Sequence, residues 1–79
     1  MCEEAILVKE IYEESTRERL DYIRKINSEN KIYQALRERN PENAVIRLVC
    51  QEILYENVRM IDYLAEGIEY DRAKIKELG

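Results

Sequence analysis

The residues best suited to chemistry in this chain are carboxylates paired at helical spacing. Glu10-x-x-Glu13, Glu18-x-x-Asp21 and Glu66-x-x-Glu69 each place two acids on one face of a helix. Several carboxylate oxygens converging on one point is what Mg²⁺ requires. The other reactive types are scarce. There is no His, so the commonest general base and metal ligand is missing. Two isolated glycines make no phosphate-cradling loop. Cys2 stands at the chain start, and Cys50 falls on an apolar helix face, where a thiol serves as a small hydrophobe.

Metal-dependent nucleotide hydrolysis of the all-helical type is the one enzymatic alternative these pairs support. The first two pairs stand close together on one segment, and no basic phosphate-binding set accompanies them. No catalytic, cofactor-binding or metal-ligating residue is therefore assigned, and no cofactor is expected. The expected class is a non-enzymatic protein–protein interaction module.

Stepping from these residues to the elements that carry them, 79 residues form a single helical domain, 1–79. Apolar residues make up 46% and charged residues 38%, with one proline, which suits long helices. The one strong punctuation mark is Arg39-Asn40-Pro41-Glu42-Asn43. Proline pushes the preceding residue out of the helical region and fits the first position of a new helix. Asn40 is expected to cap that helix, with Glu42 in its first turn. The expected fold is all-α: a long antiparallel hairpin with helices at about 3–39 and about 41–78. Asn27-Ser28-Glu29-Asn30 and Gly67 are weak helix formers, so three helices broken at one of these points are the alternative.

Periodicity supplies the expected seam. Ala5, Val8, Tyr12, Thr16, Leu20, Ile23, Ile26, Tyr33 and Leu36 follow three- and four-residue steps in the first arm. Val45, Leu48, Leu54, Val58, Ile61, Ala65, Ile68, Ile75 and Leu78 do so in the second. Folding about Pro41 places residue i opposite about 81 − i, so that Leu20 would meet Ile61 and Tyr12 would meet Ile68. That register lays basic residues 17–39 against acidic residues 51–71, and brings Glu10, Glu13 and Glu14 near Glu66, Glu69 and Asp71. It also keeps Cys2 and Cys50 too far apart to bridge.

Two helices leave apolar residues over. Val49, Ile53, Met60 and Leu64, with Leu7, Ile11 and Tyr22 on the first arm, are read as an oligomer seam closing a homodimeric four-helix bundle. Glu56, Tyr63, Glu66 and Tyr70 form a second candidate patch, since tyrosine packs by its ring while its hydroxyl stays wet. The expected function is a self-associating hairpin that acts as adaptor, regulator or inhibitor. A hetero-partner with a basic cleft is the alternative: the chain would be an acidic decoy, of the viral anti-defence kind, blocking a nucleic-acid-binding enzyme. The net charge of −4 gives no attraction to nucleic acid itself. The longest apolar run, Ala5 to Val8, is too short for a membrane span, and two cysteines make no disulfide framework. The expected location is cytoplasmic.

Overall fold

The computed structural model describes residues 3–79. It contains two α-helices, α1 (Glu3–Arg39) and α2 (Ala44–Leu78), packed as an antiparallel hairpin. The Cα atoms span 62 × 15 × 12 Å. Both helices run unbroken through Asn27–Asn30 and Gly67, so the three-helix alternative is not adopted. Glu3 and Glu4 in the first turn of α1, and Arg37 and Arg39 in its last, suit the helix dipole. Among the described residues no helix is long and apolar enough to cross a membrane. Cys50 is buried and free, and the expectation about its distance from Cys2 lies outside the described residues.

The turn differs from the sequence expectation. α2 starts at Ala44 rather than Pro41, and its cap is Asn43 rather than Asn40. The Asn43 side-chain oxygen accepts from the Ile46 amide at 3.1 Å, with Asn43 in extended backbone. Asn40 belongs to the end of α1, where its side-chain amide donates to the Leu36 carbonyl at 2.9 Å. Glu42 lies in the turn, ahead of the helix. The physical reason is a competition between two asparagines. The turn closes by an Asn43 amide to Asn40 carbonyl bond of 3.2 Å, which leaves Asn43 as the residue positioned to cap.

The register shifts with the turn. Thr16 faces Asp71, and the Asn57 side-chain amide donates to the Asn30 side-chain oxygen at 2.7 Å, so residue i stands opposite about 87 − i rather than 81 − i. The four turn residues carry the chain past the end of α1 before α2 begins, so the first turn of α2 starts beyond it. One seam column of α2 therefore reads Cys50, Asn57, Leu64, Asp71 and Leu78, seven apart. The neighbouring column reads Leu54, Ile61, Ile68 and Ile75. On α1 the matching columns are Ala5, Tyr12, Arg19, Ile26, Tyr33 and Lys9, Thr16, Ile23, Asn30, Arg37.

This corrects half of the expected stripe on α2. Leu54, Ile61, Ile68, Ile75 and Leu78 face α1, but Val45, Leu48, Val58 and Ala65 are exposed, as is Leu36 on α1. Counting apolar residues alone passes over Asn57 and Asp71, which face inward because each has a polar partner there. Val58 was taken in place of Asn57, and Ala65 in place of Leu64. The expected layers move accordingly, and Glu10, Glu13 and Glu14 no longer stand beside Glu66 and Glu69. Among the described residues no group of three or more acids, cysteines or histidines is placed to hold a metal ion.

The expected charge matching of whole blocks reduces to one ion pair. Arg19 lies 2.6 Å from the buried Asp71, and it is the only inter-helix salt bridge among the described residues. The other pairs, Arg17–Glu14, Arg24–Asp21 and Lys74–Glu77, join neighbours on one helix. The Arg19 guanidinium also lies 2.9 Å from the Ser15 hydroxyl and 3.2 Å from the Gly67 carbonyl. The Thr16 hydroxyl completes the cluster, 3.3 Å from Asp71. Gly67 is what lets Arg19 lie there: a Cβ on residue 67 would stand 2.7 Å from Arg19 Nε and 2.8 Å from its Cζ.

Two substitutions test this packing. Ile26 is 4% exposed, so Ile26→Ala is expected to cost about 2–4 kcal/mol in urea unfolding followed by circular dichroism. Val58 is 53% exposed, and Val58→Ala should stay within about 0.5 kcal/mol of wild type. Equal losses at both positions would contradict the seam described. A third substitution, Gly67→Ala, gains about 1 kcal/mol of helix propensity but displaces Arg19 from a buried carboxylate, and should lower stability by about 1–2 kcal/mol net. In an Arg19→Met, Asp71→Leu background the same change should stabilise. The double-mutant cycle fails if Gly67→Ala has one sign in both backgrounds.

Candidate functional site

The hairpin buries little of its own apolar surface. Among the described residues only Ile26, Cys50 and Ile68 form a buried apolar core, because two helices meeting along one seam cannot enclose more. The exposed apolar residues that remain are gathered mainly on one side of the seam, and the Arg19 cluster identifies that side. Reaching across, Arg19 touches Ser15 on α1 and Gly67 on α2. The heptad column of Ser15, which holds Val8, Tyr22, Glu29 and Leu36, therefore flanks the same side as the column of Gly67, which holds Ile46, Ile53, Met60 and Lys74. One step outward lie Ile11, Glu18, Lys25 and Ile32 on α1, and Val49, Glu56, Tyr63 and Tyr70 on α2. The opposite side is mixed: Glu13, Asn27, Gln34, Gln51 and Arg72 share its flanking columns with Ile6, Leu20, Val58 and Ala65, of which Ile6, Val58 and Ala65 are exposed.

Most of the expected seam residues come together on this face. Val49, Met60, Tyr22 and Ile11 are exposed on it, Ile11 at 66%, and Ile53 is half-buried at its inner edge. Leu64 is not on it. It sits half-buried in the intramolecular seam, one heptad from both Asn57 and Asp71, which face α1. Leu7 is also elsewhere, in the column of the exposed Glu14 and Asp21 on the outer surface of α1.

The expected Glu/Tyr patch splits in the same way. Glu56, Tyr63 and Tyr70 share one column on the apolar face, with Tyr63 exposed at 70%. Glu66 lies on the outer surface of α2, with Glu52 and Arg59. Tyr70 is held in place from two directions. Its ring meets Tyr12 edge-on at 6.3 Å, and the Lys74 ammonium sits 5.5 Å from the ring centre. Glu77 beside Lys74, and then Tyr70, raise the Lys74 pKa above its ordinary value.

Three residues of the face fell outside the expected site. Ile32, Leu36 and the half-buried Ile46 extend it toward the turn, while Val45 stands exposed on the outer surface of α2 and Leu48 and Tyr55 stand exposed on its opposite flank. The available signal was the first third of α2: between Ala44 and Tyr55 only Arg47, Gln51 and Glu52 are polar. A helix apolar on every side is ordinarily covered on more than one. The surface there is grooved rather than pocketed, with an open groove of about 370 Å³ along Lys31, Ile32, Ala35, Leu36 and Arg39. Such a surface fits another helix better than an enclosed small molecule. Comparisons with protein families, with characterised proteins and with solved structures find no match to this chain.

Proposed function

We propose that the chain is a non-enzymatic interaction module whose hairpins self-associate into a four-helix bundle, acting as adaptor, regulator or inhibitor through that assembly. One observation carries the reading: the chain exposes far more surface than its mass requires, and the larger share of its exposed large apolar residues stands on one side of the seam. The accessible surface is 6325 Å². A compact folded monomer of 9.5 kDa exposes about 5,000 Å². The excess of roughly 1,300 Å² is of the size that an obligate dimer hides per subunit. The radius of gyration, 18.0 Å, likewise exceeds the roughly 12 Å of a compact domain of this length. A contiguous apolar surface left uncovered marks an interface more often than a solvent face. The buried free thiol of Cys50 fits a reducing, cytoplasmic setting.

Val49 and Met60 are exposed, so lysines there leave the intramolecular seam alone. Sedimentation equilibrium at tens of micromolar should give a dimer for wild type and a monomer for Val49→Lys with Met60→Lys. Two charges per subunit would otherwise be buried in the interface. A wild-type monomer at that concentration would refute self-association.

A further inference from the structure

The apolar face is graded along its length, and the grade points to one arrangement of the two copies. At the turn end it carries Ile32, Leu36, Ile46, Val49 and Ile53. Tyr22, Met60 and Tyr63 occupy its middle. Toward the open end the aliphatic residues thin out to the half-buried Val8 and the exposed Ile11, which stand with Tyr70, Ser15, Glu18, Lys74 and Glu77. The turn half carries charged residues too, among them Lys25, Glu29 and Glu56. We propose that the second copy docks with its turn at the same end as the first, α1 of each against α2 of the other, about a two-fold axis parallel to the helices. The proposal rests on the self-association reading above and specifies its geometry.

The argument is one of matching levels. A two-fold axis along the hairpin keeps every level of one copy beside the same level of the other. The aliphatic end then meets an aliphatic end, the tyrosine and methionine layer meets itself, and the end that carries Glu18 and Lys74 meets an end with both charge signs. A two-fold axis across the hairpin reverses the levels. Val49 and Ile53 would then face the region of Tyr70 and Lys74, and Glu18 and Lys74 would lose water against aliphatic side chains that offer no hydrogen bonds. The excess exposed surface also favours contact along the full length. A reversed, staggered pair joined only at its turn halves would cover about half of it.

Distances between spin labels decide the arrangement. Glu42 is exposed in the turn and Lys76 is exposed near the open end. Each is replaced in turn by cysteine in a full-length chain carrying Cys2→Ser and Cys50→Ala, then labelled and measured by pulsed electron resonance. Helices in a bundle lie about 8–10 Å apart, so both positions should give inter-copy distances of roughly 20–35 Å once label arms are included. Reversed copies with full overlap would place the labels at either position roughly the hairpin's 62 Å apart. Reversed copies overlapping only at their turns would give a short distance at position 42 and a long one at 76. A long distance at either position in a dimeric sample overturns the proposed orientation and leaves self-association standing. A monomer in sedimentation overturns both. If loss of the Cys50 side chain lowers helicity, a keto-bearing unnatural residue at 42 or 76 takes the label with both cysteines in place.

Discussion

The polar residues inside the seam are the constraint on which the rest of this structure depends. Two helices with aliphatic residues at every seam position could slip by one heptad and pack about as well. Asn30 against Asn57, and Arg19 against Asp71, remove that freedom. A seven-residue slip in either direction would set Asn30 against Cys50 or Leu64 and part Arg19 from Asp71, so that both pairs are lost. Among the described residues no buried side-chain polar atom lacks a partner in the observed register. These pairs add little net stability, since desolvation offsets most of their attraction. What they supply is a single register, and the register decides which residues are left outside.

That consequence links packing to function. Ser15 and Gly67, both in contact with Arg19, mark one flank of the seam. The residues uncovered on that flank follow from this register, while Ile6, Leu7, Val45, Leu48, Tyr55 and Val58 are exposed elsewhere. A hairpin with three buried apolar residues among those described has little core of its own. Covering the face with a second hairpin would complete a bundle core, so on the proposed reading folding and assembly are one event, and stability depends on concentration.

The overall architecture was legible in the sequence because its signals are local. Pro41 ends one helix, charged residues suit the helix ends, and a seven-residue repeat of Leu54, Ile61, Ile68 and Ile75 marks the seam. The boundary at Ala44 was not, since Asn40 and Asn43 are both good caps and only the closed turn distinguishes them. The register was missed for a different reason. Apolar periodicity cannot count an inward-facing Asn57 or Asp71, whose burial makes sense only with Asn30 and Arg19 across the seam. Gly67 looked like a defect of α2 for the same reason, its use being visible only with Arg19 lying over it. Of the candidate site, Val49, Met60, Ile11 and Tyr22 were correctly placed outside the hairpin seam. Leu64 and Leu7 were assigned by stripe counting one position away from their true columns.

The central claim, that a second hairpin covers the exposed face side by side, is tested most directly by small-angle X-ray scattering at several concentrations. The account predicts a scattering mass of twice the chain's 9.5 kDa, with a maximum dimension close to that of one hairpin, whose Cα atoms span 62 Å. A mass of one chain at every concentration, with the radius of gyration of the lone hairpin, would contradict it.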